Sequence, residues 1–224
     1  MRDNLILGFD VSNNNCSVAI SLGERILCYN EILNSSVQAE QILPMIEYSL
    51  EEVRLSYRDI NYLVVTNGPG NFTGVRIGLS VAKSIVMSTK IIGIGISNFE
   101  VSYLRAIEQV GDFDKVIVIL KSNIYQSYLQ IFSKAGDITE PKLIDNSDIK
   151  FLVSKLTENN LNVLCVGNAL SIIYQNIKFI NNLMILPRFT YVKAVYLCRF
   201  INLKIRNNDI TPIKPLYVRL PDTK

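Results

Sequence analysis

Tyr62-Leu63-Val64-Val65-Thr66-Asn67-Gly68-Pro69-Gly70-Asn71-Phe72-Thr73-Gly74-Val75-Arg76 is the stretch on which the fold turns. Tyr62 to Thr66 is a short apolar, β-branched run of the kind that forms a buried strand. A glycine and proline loop follows, then a helical pattern to about Met87. Strand, glycine loop and helix in that order make an α/β unit. Glycines let the backbone turn tightly and approach a neighbour, and a helix N-terminus presents free N–H donors. Gly68, Gly70, Thr73 and Arg76 are therefore candidate contacts for an anion. The equally simple reading is that the glycines only shape the loop and Arg76 pairs with a carboxylate such as Glu40. The loop lacks the Gly-Lys-Ser/Thr ending of a phosphate loop and the dinucleotide spacing.

Upstream, three short strands are predicted at Leu5 to Asp10, Cys16 to Leu22 and Arg25 to Ile32, separated by Asn13-Asn14-Asn15 and Gly23-Glu24. Asp10 and Ser12 stand at a strand end before a turn. In a nucleotide-binding fold such an aspartate faces phosphate and metal, while in the plainer reading it only caps the turn. A helix from about Val37 to Val53 follows, introduced by Ser35 with Gln38 three residues on, a capping pattern. Ile42, Leu43, Ile46, Leu50 and Val53 form its expected core stripe, and Pro44 is expected to kink it. Its other side, Gln41, Met45, Tyr48 and Glu52, mixes apolar and polar groups as a partner contact does, or is a solvated face.

The helix after the glycine loop repeats small residues, Gly74, Gly78 and Ala82, every four positions. Glycine inside a helix costs about 0.5 to 1 kcal/mol relative to alanine, so close packing against another backbone is the expected compensation. A strand at Ile91 to Gly95 and a helix from Ser97 to Glu108 complete a ribonuclease-H-like order, ending near Gly111. The remainder repeats it more weakly. Strands are expected at Lys115 to Lys121, Tyr125 to Phe132, Lys142 to Ile144 and Asn162 to Val166, with helices at Ile149 to Thr157 and Tyr191 to Arg206 and an extended tail. The expected organisation is an N-terminal lobe, 1–110, and a reduced C-terminal lobe, 111–224, whose last helix and tail pack back on the first.

The 224 residues are 49% hydrophobic and 19% charged, with a net charge of +3. No apolar run of about 18 residues appears that would span a bilayer, and the first residues do not form a secretory signal, so a cytoplasmic location is expected. The chain contains no histidine, which excludes histidine-based hydrolysis and histidine-ligated metal. Cys16, Cys28, Cys165 and Cys198 are far apart and read as buried thiols. The charge is too small and too scattered to form a nucleic-acid footprint by itself.

With these segments in view, the sequence resembles the TsaB (YeaZ) family. The residues that carry the likeness are Ile6-Leu7-Gly8-Phe9-Asp10-Val11-Ser12 with Ser17-Val18-Ala19, then Ala39-Glu40-Gln41-Ile42-Leu43-Pro44. Gly68 to Leu79 with Ala82-Lys83, Gly93 to Ser97, and Pro215-Leu216-Tyr217-Val218-Arg219 complete it. The resemblance implies an actin-like ATPase fold of two ribonuclease-H-like lobes. It implies a scaffold role without chemistry of its own, with no catalytic residue, metal or cofactor in this chain. The catalytic partner TsaD and the ATPase TsaE would carry ATP and metal, tRNA would be met only through the complex, and no membrane is involved. Family members pair with TsaD through the first two helices, which places the interface on Gln41, Met45, Tyr48, Glu52, Gly74, Gly78 and Ala82. The same faces leave pairing of two copies open. Gln38 stands where the family carries a histidine, and Lys121-Ser122-Asn123 where it carries Asp-Ala-Arg. An ATP-dependent phosphotransferase is the alternative within the same fold.

Overall fold

The computed structural model describes residues 3–33, 37–111, 113–186, 191–207 and 210–218. Ser35, the expected capping residue, and Arg219 of the tail lie outside them. The chain divides into two compact units, Met1–Val101 with Val192–Leu216, and Ser102–Tyr191 with Tyr217–Lys224.

In the first unit, β1 (Leu5–Asp10), β2 (Cys16–Leu22) and β3 (Arg25–Ile32) form an antiparallel meander. β4 (Tyr62–Thr66) then adds in parallel to β1, and β5 (Ile92–Ile96) in parallel to β4, giving the order β3-β2-β1-β4-β5. The parallel additions need crossovers, which α1 (Gln38–Glu52) and α2 (Phe72–Ser88) supply. β1 is buried almost end to end because both its faces are covered. Leu7 and Phe9 join the core under α1 and α2. Gly8 faces the other way, towards α6 (Ala194–Arg206), where an added Cβ would lie 2.7 Å from Cys198 Sγ and 3.2 Å from Ala194 O. Only glycine admits that helix.

The second unit repeats the plan. β6 (Lys115–Lys121), β7 (Gln126–Ser133) and β8 (Lys142–Asp145) form its meander, with β9 (Val163–Val166) and β10 (Leu183–Ile185) parallel beyond β6. The order β10-β9-β6-β7-β8 is the first sheet's order under the same numbering of strands. α4 (Ile149–Thr157) and α5 (Leu170–Ile177) occupy the crossover positions and build a core with Ile117, Ile119 and Leu129. α3 (Asn98–Val110) follows β5, and within the second unit its Tyr103 stacks on Phe132 with ring centroids 4.4 Å apart. The duplicated α/β expectation holds. α5 and β10 are additions to the sequence reading, as is a short 3-10 turn at Tyr57–Asp59.

Two expectations about the first two helices are corrected. Leu43, placed in the core stripe, is 44% exposed, whereas Met45, placed on the partner face, is buried with Ile42, Ile46 and Leu50. A stripe at i, i+3, i+4 shifts by about 100° when one member is misassigned, and here the inner face also takes in Ser49 and Gln38. α1 runs unbroken through Pro44, which lies on the exposed side. Gly74, Gly78 and Ala82 do not present themselves to a partner. All three are buried against this unit's own sheet, where an added Cβ would meet Val11 O at 2.0 Å from Gly74 and Val11 Cγ2 at 2.9 Å from Gly78. The helix gives up propensity so that it can sit directly on β1 and β4.

Gly78→Leu is therefore expected to destabilise the fold itself, by about 1 to 3 kcal/mol as overpacking does. A urea unfolding midpoint lowered with an unchanged slope is the expected reading, and a midpoint equal to the parent's would show that this face is free.

Candidate functional site

The carboxyl ends of β1 and β4 meet where the strand order turns back, the place at which open α/β sheets hold ligands. Asp10 and Thr66 are adjacent there, and both are buried. Asp10 Oδ1 accepts from the Ser12 backbone N–H (3.1 Å), the Ser12 hydroxyl (2.6 Å) and the Thr66 hydroxyl. Its second oxygen, Oδ2, has no hydrogen-bond partner among the described residues. Burial pushes the Asp10 carboxyl above the ordinary 3.8, although its hydrogen bonds from Ser12 and Thr66 pull the other way. Removal from water outweighs the donors.

The glycine loop closes over this strand end. Asn71 N–H donates to Ser12 O at 2.7 Å, and an added Cβ on Gly70 would lie 2.2 Å from the same oxygen. Gly68 holds φ +106 and begins a cis peptide to Pro69. Asn98, at the start of α3, ties the layers together: its backbone N–H donates to Gly68 O at 2.8 Å, and its Nδ2 donates to Pro69 O and Ser12 Oγ, each at 2.8 Å. The α2 N-terminus is capped from within, since Asn71 Oδ1 accepts from Thr73 N (3.0 Å) and Gly74 N (3.2 Å).

On the far side of the turn, Gln38 Nε2 donates to Asn13 O (2.5 Å) and Asn15 O (2.7 Å). The position that carries a histidine in the resembled family thus clamps the asparagine turn here. Asn15 Nδ2 donates in turn to Val192 O at 3.2 Å.

Of the proposed anion contacts, Asp10, Ser12, Gly68 and Gly70 come together with Thr66 and Asn98, two residues the sequence reading did not single out. Thr73 and Arg76 do not join them. Both are exposed, and the Arg76 guanidinium lies 3.9 Å above the Phe72 ring, a cation–π contact. At the loop, the Asn71 N–H is spent on Ser12 O and those of Thr73 and Gly74 on Asn71 Oδ1, while the carbonyl oxygens of Val11 and Ser12 lie against Gly74 and Gly70. Neither Thr66 nor Asn98 has a signal of its own in the sequence; each becomes visible only through the parallel pairing of β1 with β4 and the return of α3 over the loop.

All four cysteines are buried and unpaired by disulfides, and burial pushes the thiols of Cys16, Cys165 and Cys198 up to about 12. They are poor nucleophiles. Among the described residues no group of three or more Asp, Glu, Cys or His side chains is placed to hold a metal ion, and no helix is long and apolar enough to cross a membrane. At the ends of the second sheet's strands, Lys121 N–H donates to Asn168 Oδ1 at 2.7 Å where a carboxylate would be needed for phosphoryl transfer.

On the exposed side of α1 lie Leu43 (44% exposed), Pro44 and Tyr48 (59% exposed), bordered by Glu40, Glu47 and Glu51. The spacing puts these six residues on one face. Of the other interface candidates, Gln41 is half-buried at its margin, and Glu52 is exposed with its Oε2 accepting from Asn30 Nδ2 at 3.0 Å.

The two sheets and their shared strand order define an actin-like fold, built from two ribonuclease-H-like units. Residues 34–175 match the family model described as TsaD: tRNA N6-adenosine threonylcarbamoyltransferase. The chain belongs to that family, in its TsaB (YeaZ) branch. It is 35% identical over 102 residues to the tRNA threonylcarbamoyladenosine biosynthesis protein TsaB of Buchnera aphidicola subsp. Schizaphis graminum, covering 46% of this chain and 48% of that one. The chain spans about half the length of the curated relatives it matches. Among solved structures, YeaZ from Pseudomonas aeruginosa superposes with a TM-score of 0.78 over 96% of this chain and 99% of that chain, at 16% identity. Component A of the (R)-2-hydroxyglutaryl-CoA dehydratase of Acidaminococcus fermentans has a TM-score of 0.52 over 91% of this chain and 99% of that chain, at 12% identity, a likeness of fold alone.

Asp10 also carries a pH signature. Because its folded pKa is raised, its contribution to stability is full below the unfolded value of 3.8 and is lost as pH rises through the folded value. Relative to the parent, Asp10→Asn should gain stability from acid to neutral pH, as read from urea midpoints across that range. A difference that stays flat would mean that Asp10 titrates as it does in water.

Proposed function

We propose that this chain is a non-catalytic scaffold subunit for threonylcarbamoylation of the tRNA adenosine that follows the anticodon. In this reading it pairs with a catalytic TsaD subunit, the pair recruits the ATPase TsaE, and ATP, metal and tRNA are handled by the partners. The observation that carries the reading is the closed strand end. A family member whose Asp10 is buried beneath its own loop, held by the Ser12 and Thr66 hydroxyls, with Ser12 tied in turn to Asn98, keeps the fold of an ATPase with that strand end closed over. The same closure disfavours the alternative of an ATP-dependent phosphotransferase.

The partner contact is assigned to the outer face of α1, with Leu43 and Tyr48 as apolar anchors inside a border of glutamates. It replaces the small-residue stripe of α2, which the sheet occupies. Tyrosine is enriched among residues that dominate interface energies, and charged borders set orientation and on-rate. The acidic border calls for a partner surface bearing Lys or Arg.

The test is reconstitution of transfer to tRNA from the purified subunits with and without this chain, alongside ATP turnover by the chain alone. Transfer that requires the chain, with no turnover by the chain alone, is the expected result. ATP hydrolysis by the isolated chain would overturn the scaffold reading. Leu43→Glu with Tyr48→Glu should weaken association with TsaD about 30-fold, a cost of about 2 kcal/mol, while the melting temperature stays close to the parent's. Undiminished co-elution would remove the interface from this face.

A further inference from the structure

A second concave site lies at the opposite end of the first sheet, at the amino ends of β4 and β5. It is a cleft of about 900 Å³ between the 3-10 turn Tyr57–Asp59, the start of β4, and the residues that link α2 to β5. Its floor is apolar, with Ile60 and Ile91 only 4% and 5% exposed. Tyr57 and Tyr62 line it, both half-buried, and Met87 stands at its rim, 87% exposed. No aspartate or glutamate lines it.

The charged groups that line the cleft, Arg58 and Lys90, are both cationic, Asn61 adds an amide donor, and the local structure explains why these three remain available. Arg58 has an acidic neighbour in Asp59, but that carboxylate is turned into its own turn, where Oδ2 accepts from Ser56 N (2.8 Å) and Ser56 Oγ (2.7 Å). Lys90 follows the end of α2, whose Ile85 carbonyl already accepts from Ser88 Oγ (3.0 Å) and Thr89 Oγ1 (2.7 Å). Asn61 is held by its Oδ1, which accepts from Leu5 N at 2.8 Å, and this leaves its amide NH2 without a partner among the described residues. Neither Arg58 nor Lys90 has an ion pair among the described residues.

Two cations and an amide donor, arranged around tyrosine rings with no carboxylate in the lining, although Glu47 is near enough to act on Tyr57 from outside it, suit a phosphate next to a planar ring. We propose that this cleft binds a segment of single-stranded RNA, with phosphates on Arg58 and Lys90 and a base against Tyr57 or Tyr62. Such sites pair a cationic track with aromatic faces. The openness of the cleft selects a strand over a free mononucleotide. Arg58, Asn61, Lys90 and Ile92 are all exposed, so a small ligand would be covered on one side only, whereas a strand is also anchored by its flanking nucleotides. This site lies apart from the outer face of α1, and it goes beyond the scaffold reading, in which tRNA is met only through the complex, by giving this chain an RNA contact of its own.

The experiment uses the purified full chain without partner subunits, so its failure is separate from a failure to pair with TsaD. Binding of a fluorescein-labelled oligoadenylate of about ten nucleotides, the order of one single-strand site, is followed by anisotropy at several salt concentrations. Two phosphate contacts predict a log–log salt slope of about −1.4. Arg58→Gln with Lys90→Gln, both at exposed positions, should weaken binding about tenfold and flatten that slope by about the same 1.4. Arg25→Gln with Lys83→Gln makes the same change in net charge outside the cleft and should leave binding within about twofold of the parent. The assignment is overturned if the oligonucleotide does not bind at low salt, if the two double variants weaken it equally, or if AMP competes at concentrations as low as the unlabelled oligonucleotide does.

Discussion

Asn71 N–H donates to Ser12 O at 2.7 Å, and the carbonyls of Val11 and Ser12 lie so close to Gly74 and Gly70 that no side chain fits between. This contact between the backbone of a strand end and the backbone of a loop organises the first unit. It places the start of α2 against β1, so that Gly78 and Ala82 continue the contact along the sheet. It also brings Gly68 and Pro69 within reach of Asn98, which joins the beginning of α3 to the same point. Buried backbone groups must be paired, and here the loop and the turn pair with each other.

The chemical character of the strand end follows from that closure. An aspartate at the end of β1 in an open site would be charged and would face phosphate or metal. Asp10 is instead sealed, with three donors on one oxygen and its carboxyl pushed towards the neutral form by burial. The same atoms that serve binding in an open actin-like protein here serve cohesion. Surface features are then the places where ligands and partners have room, and the two that stand out have opposite chemistry: an acid-bordered apolar helix face on α1, and a donor-lined cleft at the far end of the sheet.

The tail is governed by the same demand for close approach. Gly93 and Gly95 on β5 make room for Ile213 and Pro212, where added Cβ atoms would lie 2.4 Å from Ile213 Cδ1 and 3.0 Å from Pro212 O. Gly95 N–H donates to Thr211 O at 2.9 Å, and Leu216 N–H donates to Asn67 O at 2.8 Å. Residues 211–216 therefore lie against the edge strand of the first sheet and cover part of an edge that would otherwise be open.

Local pattern determined most of the elements of this protein. Strands such as Lys115–Lys121 and helices such as Ile149–Thr157 announce themselves by period, and the glycine loop between β4 and α2 by composition. α5 and β10 escaped because eight and three residues are too few for a period to emerge. The sequence also showed that a close contact must exist at Gly74, Gly78 and Ala82, since glycine in a helix needs compensation, but not what makes the contact. Only the tertiary structure decided that it is β1 and not a partner, that Met45 turns inward and Leu43 outward, and that Thr66, Gln38 and Asn98 lock the strand end. Those outcomes depend on which distant backbone arrives at each face, a long-range packing choice that no local period encodes.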